Sequence, residues 1–328
     1  RSSDLQWVRT IDSGSEEIAT AAAVDALGNI WLAGSSAQPS SSESATVVSA
    51  AENPDAVPAD PVAQVRSDLN LITLWKVNPL GEVVATYTSA QMLPALVTGI
   101  SLNSSGISLI GQLADKPFVV SASLQGVFGK LIPIGSAKTV FNAVVRNADG
   151  SVNIFGSSAE TLGGKKLIGL VDGFLMKVSK TGVLSSVVRS SGPKAQRSWL
   201  SADSSLALTG SVKTGKVIET AFTKFTSAFA PTWTIRFPST GRSAVVSGAG
   251  VTYGAFTSNS PIKSISGWKP STATLLVATF DTKGSLTGAY SSPELTTPIS
   301  LIYSRDLGFY GLAQASDTSV SIFRLTSR

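Results

Sequence analysis

The segment Gly210–Val217, GSVKTGKV, falls one residue short of a phosphate-binding loop. That loop, Gly-x4-Gly-Lys-[Ser/Thr], cradles phosphates on backbone amides, reaches them with its lysine and holds Mg²⁺ through its hydroxyl. Val217 stands where the hydroxyl belongs, and the following VIETAFTKF reads as a strand where a helix is required. Two Ser-x-x-Lys dyads, Ser191 with Lys194 and Ser260 with Lys263, each enclose a proline. Proline opposes the helical turn that would put both groups on one face. Asp25, Asp149 and Asp203 recur, but each at a turn, where Asp serves backbone geometry rather than paired acid–base work. The 328 residues include no histidine and no cysteine. Thiol chemistry is thereby excluded, and the usual neutral-pH base and metal ligand are missing. These residues assign no catalytic group, no metal site and no cofactor, so a binding protein is expected before an enzyme.

Any binding residue must be positioned by a repeated hairpin. A turn followed by an apolar strand ending in glycine occurs six times: VDALGNIWLAG (24–34), LNSSGISLIG (102–111), RNADGSVNIFG (146–156), SADSSLALTG (201–210), SGAGVTYG (247–254) and YSRDLGFYG (303–311). The turns are rich in Asn, Asp, Ser and Gly, which tolerate the positive φ of hairpins. A second hairpin follows each copy, at 71–88, 118–134, 173–190, 220–237 and 274–291; the sixth, 319–328, stops at its turn. The strand it lacks matches DLQWVRTI (4–11), which resembles the outer strands EVVATYT and PTWTIRF.

Four-stranded units that cannot bury both sheet faces alone stack around an axis and cover one another. The expected fold is therefore all-β: a single six-bladed β-propeller over 1–328, its last blade closed by the N-terminal strand. Two stacked β-sandwiches are the alternative, but they do not explain why the last unit lacks the strand that the first residues supply. The first copy resembles the Asp-x-x-Gly-Asn-φ-[Trp/Tyr]-φ-x-Gly motif of bacterial β-propeller repeat proteins, the SBBP-like and sensor-propeller kind. Asp25, Gly28, Asn29, Trp31 and Gly34 carry the match, and blade three keeps Asp149, Gly150 and Gly156. The resemblance implies architecture and little about activity.

On such a scaffold the loops joining second to third strands share one face, here termed upper, with the blade connections. Those of blades one (35–70), three (157–172) and five (257–272) are long, and long loops on rigid scaffolds are where binding concentrates. The blade-one insertion is Ser/Ala/Pro-rich and acidic, with DPVAQVRSDL capable of a short helix. The other loops are basic: Lys165 and Lys166, Lys213 and Lys216, Lys263 and Lys269, with Lys194, Arg197 and Arg242 in the connections. Trp268 beside Lys269 is a candidate stacking platform, with packing onto its own loop as the alternative. Thr20, Thr98, Asn142, Ser198, Ser243 and Ser300 form a polar column in the innermost strands, expected at the mouth of the channel. An axial Ca²⁺ of the kind hydrolytic propellers use needs carboxylates and amides, and this column offers one amide.

Hydrophobic residues make up 43% of the chain and charged ones 14%, enough for a large core but with no apolar run long enough to span a bilayer. The net charge of +5 is dispersed, which argues against nucleic acid. The chain opens on Arg1 in a polar stretch, and its leader is expected to have been removed. The expectation is a non-catalytic binding or interaction module of the bacterial surface or exterior, with an acidic glycan or acidic protein surface as partner. An axial-metal hydrolase or lyase and a structural subunit of a surface assembly are the alternatives. The sequence does not give the oligomeric state.

Overall fold

The computed structural model describes residues 8–12, 14–38 and 67–325, and these contain strands and no helix. Blade one holds β1 (Glu17–Val24), β2 (Ile30–Ser36), β3 (Leu71–Val77) and β4 (Val83–Ala90). Blade two holds β5 (Ala95–Asn103), β6 (Gly106–Leu113), β7 (Lys116–Ala122) and β8 (Ile132–Pro133). Blade three holds β9 (Thr139–Arg146), β10 (Val152–Ser158), β11 (Asp172–Val178) and β12 (Leu184–Ser190). Blade four holds β13 (Ala195–Ala202), β14 (Ala207–Thr214), β15 (Val217–Phe225) and β16 (Pro231–Pro238). Blade five holds β17 (Ser243–Gly248), β18 (Val251–Ser258), β19 (Thr274–Phe280) and β20 (Leu286–Ser292). Blade six holds β21 (Leu295–Ser304), β22 (Gly308–Ala315) and β23 (Val320–Arg324). Each sheet is an antiparallel meander in chain order, and together they form the expected six-bladed β-propeller.

The repeat has two physical causes. At the lower turns, an Asx side chain holds the backbone. Asp25 accepts the amides of Leu27 and Asn29 at 2.9 Å each, and Asp203 accepts those of Ser205 and Ala207 at 2.9 and 3.1 Å. Asp25 also accepts Asn29 Nδ2 at 2.9 Å and Trp31 Nε1 at 3.0 Å, tying the turn to the core. In blades one to four the strand-ending glycine answers a β-bulge in the innermost strand. The register slips between Ala19 and Ala21 in β1 and between Trp199 and Ser201 in β13. Beside each slip a carbonyl is driven onto the facing glycine: a Cβ on Gly34 or Gly210 would lie 1.9 Å from the oxygen of Ile18 or Ser198. Glycine is the one residue that admits this approach.

Apolar clusters fill five successive seams. Trp31 and Leu74 meet Leu109 and Phe118 between blades one and two, and Ile110 meets Phe141, Ile154 and Phe174 between two and three. Phe155 and Leu175 meet Trp199 and Phe225, then Phe222 and Phe237 meet Phe256 and Phe280, and Val277 meets Leu295 and Phe309. No such cluster joins blade six to blade one among the described residues. Blade six has three strands among them, with Ile302, Val320 and Ile322 at 62%, 63% and 75% exposure. Of the expected closing strand, residues 4–7 lie outside the described residues. Val8–Ile11 carry no strand, and Arg9 Nε donates to the Gly81 carbonyl of blade one at 3.1 Å. The short helix expected at 60–69 also lies mostly outside them.

Candidate functional site

The backbone of the long blade-three loop is pinned from beneath. Asp172, wholly buried, accepts the amides of Ile168 and Gly169 at 2.8 Å each and pairs with Arg189 at 3.5 Å. Arg189 in turn donates to the carbonyls of Ser158, Glu160 and Lys165. Glu160 anchors the loop's near end: it accepts the Ser136 amide and hydroxyl at 2.7 Å each and the Thr139 hydroxyl at 2.6 Å. Burial pushes the Glu160 carboxyl up, but the bonds from Thr139 and Ser136 outweigh it and hold the group below its ordinary value. The far end docks on blade four, where Leu170 N donates to Ala195 O at 2.8 Å and Arg197 N to Val171 O at 2.9 Å.

This docking joins the upper faces of blades three and four. A cleft of about 280 Å³ lies there, lined by Val171, Gln196, Arg197, Ser198, Lys213 and Ile218 among others. Lys165 and Lys166 on the blade-three loop, Lys213 at the end of β14 and Lys216 in the turn that follows are exposed, and none is in an ion pair among the described residues. Arg197 stacks on Trp199 at 4.2 Å. Burial, with Arg236 nearby, lowers its pKa to about 10. Its Nε is buried without a partner.

Blade five is different. Lys263 and Lys269 are exposed on its loop, but Ile262, Ile265 and Trp268 pack into the aromatic cluster of blades four and five. Trp268 Nε1 donates to Ser260 O at 3.0 Å, so the ring is half-buried against its own loop, the alternative weighed for it above.

The six polar column residues all fall on innermost strands, and several bind the next blade. Thr20 Oγ1 donates to Val97 O at 2.6 Å, and Asn142 Nδ2 donates to Trp199 O at 2.8 Å and Ser198 Oγ at 3.1 Å. Ser243 Oγ accepts Thr209 Oγ1 of blade four at 3.0 Å. Thr98, whose hydroxyl reaches Ile110 O at 3.5 Å within its own blade, and Ser300 each sit at or beside a bulge. Groups committed to struts between blades are less free to bind a ligand. Among the described residues no three His, Cys, Asp or Glu side chains converge as a metal site.

Sequence reasoning passed over Asp172 and Arg189, whose pairing across a sheet leaves no local motif. It also passed over a group of tyrosines in blades five and six, described below.

No family model matches the chain, and no curated protein does. Solved structures do. A candidate 6-phosphogluconolactonase from Bacteroides fragilis NCTC 9343 is 12% identical, with 93% of this chain and 79% of that one covered at a TM-score of 0.51. The WD40 domain of Neurospora crassa Pan2 is 9% identical, with 93% and 75% covered, also at 0.51. At such identities the likeness shows the fold alone: this chain is similar to β-propellers in architecture.

Proposed function

We propose that the protein is a non-catalytic binding module, displayed on or released from a bacterial cell, whose upper face over blades three and four takes an acidic glycan. One observation carries the reading: Lys165, Lys166, Lys213 and Lys216 are exposed on blades three and four with no ion pair among the described residues, Lys213 lines the cleft between them, and the blade-three loop is pinned from beneath. Lysine ammonium groups suit a diffuse anionic polymer, whereas a single tight phosphate favours arginine forks or a helix N-terminus. The blade-one resemblance to bacterial repeat propellers supports the setting.

The test is binding of polygalacturonate and alginate at low and physiological salt, by the wild type and by Lys165→Glu/Lys166→Glu/Lys213→Glu. Salt-sensitive binding that the triple reversal weakens about tenfold or more is expected, since exposed charges act collectively and are screened. Absence of binding, or equal binding by the variant, overturns the reading.

A further inference from the structure

Three of the chain's five tyrosines, Tyr253, Tyr290 and Tyr303, line one cleft of about 590 Å³ in the lower half of the seam between blades five and six. That size lies within the ~300–1,000 Å³ of small-molecule sites. The alternation of the strands aims them there. Tyr253 follows the parity of Ala255, and Tyr290 is paired with Val277; both partners belong to the five–six core. Tyr303 faces Phe309 across β21 and β22. Tyr253 stacks on Phe309 at 4.6 Å and on Tyr303 at 6.4 Å, which makes an aromatic wall. Tyr290, 46% exposed, leaves its ring open to the cleft, and its hydroxyl lies over Gly288, where a Cβ would come within 2.9 Å.

The polar groups are what distinguish this cleft from an ordinary groove between blades. None of the three phenol hydroxyls has a hydrogen-bond partner among the described residues, whereas Thr279 and Thr287 on the floor bond to each other at 3.0 Å. The Tyr253 phenol is pushed up by burial and then by Tyr303 and Tyr290, which line the same cleft. Among the described residues no charged side chain other than Arg324 lines the cleft. Arg324 borders the cleft, but its guanidinium lies over Tyr310 at 5.4 Å, and both residues belong to the opposite face of the sheet from Phe309.

We infer that this cleft binds a pyranose ring of a neutral glycan. The apolar C–H face of a sugar matches an open aromatic ring. Its hydroxyls both donate and accept, as phenols do, and an uncharged site favours an uncharged polyol. The site is separate from the basic upper face and does not depend on that reading.

The experiment is ¹⁹F NMR of the full chain carrying 3-fluorotyrosine. Cello-, xylo-, manno- and maltohexaose serve as probes, with resonances assigned by single Tyr→Phe variants. At least one neutral hexasaccharide should shift Tyr253, Tyr290 and Tyr303 saturably and leave Tyr87 unmoved, independently of salt. Tyr290→Ala should weaken that binding about tenfold, the scale of one aromatic contact. Tyr290→Phe, which keeps the ring and fold, should weaken it less. Lys165→Glu/Lys166→Glu/Lys213→Glu should leave it unchanged. The inference fails if no hexasaccharide moves these resonances, if the shifts survive Tyr290→Ala, or if only an acidic polysaccharide or an apolar dye produces them.

Discussion

The seam between blades four and five and the seam between blades six and one lie on the same propeller and differ in kind. In the first, Phe222, Phe237, Phe256 and Phe280 pack ring to ring at 5.1–6.2 Å, with Trp233 from the outer strand against Phe280 at 5.7 Å. In the second, blade six presents exposed Ile302, Val320 and Ile322, and β1 adds Val24 at 62% exposure. Blade one's own face on this side is covered: Thr73, Trp75 and Val77, whose parity opposes Ile72 and Leu74, are buried. The ring is therefore held by neighbour-to-neighbour packing through five seams, and the sixth depends on what joins chain start to chain end.

The largest test of this contrast is Phe222→Ala, which removes a ring in contact with three others. It should cost about 3–5 kcal/mol in denaturant unfolding. A loss near zero would mean that the four–five seam is not what secures blade four.

Deleting residues 1–11 probes the other seam. The strand-like pattern of 4–11 and the Arg9 bond to Gly81 lead us to expect a loss of about 3 kcal/mol, the scale of one aromatic side chain removed from a core. An unchanged melting temperature would show that the sixth blade is stable without them.

Asp25 sharpens the comparison from the sealed side, because its carboxylate reaches the core through Trp31. Burial raises its pKa, but hydrogen bonds from Asn29 and Trp31 prevail and hold it below the ordinary 3.8. A folded-state pKa below the unfolded one adds stability above the unfolded value, and that stability is lost as pH falls through the folded one. Asp25→Ala should cost about 1–2 kcal/mol at pH 7, and the gap from wild type should narrow below about pH 4. A gap constant down to pH 2 would assign the effect to turn geometry and not to charge.

The smallest effect is expected at the open seam itself. Ile322→Ala should change stability by no more than about 0.5 kcal/mol, as is usual for an exposed position. A loss of several times that would show that the blade-six face is buried in solution.

The hairpin repeat was legible because four of its six copies spell the turn locally, in Asp or Asn and then glycine, while blade four puts Leu206 at the positive-φ position and blade five has glycines without Asp or Asn. The uneven upper loops were legible for the same reason: blades one, three and five have the long ones. The physical role of Gly34 and Gly210 was not, since the carbonyls they accommodate belong to another strand. Nor was the shortness of β8, whose two residues replace a full outer strand in blade two. Of the candidate site, the lysines could be read and their loops placed. Whether Trp268 faced out or in depended on Ile262 and Ile265 finding the core of blade five. The tyrosine cleft draws residues 253, 290 and 303 together from three different strands, and no window along the chain contains them all.

The bulge in the innermost strand has a further consequence for how such chains are compared. In β5, Ala95 and Val97 point into the one–two core, yet beyond the bulge it is Ile100 and Leu102 that do so. The two-residue rhythm slips by half a period in mid-strand, so odd positions give way to even ones. A search that assumes one unbroken alternation reads such a strand as two weak fragments of opposite phase. The innermost strands of blades one to four carry this slip and β17 of blade five does not, so aligning blade five with them without a one-residue gap sets core positions against channel positions. Repeats of this hairpin are therefore best matched with the innermost strand read in two halves hinged at the slip.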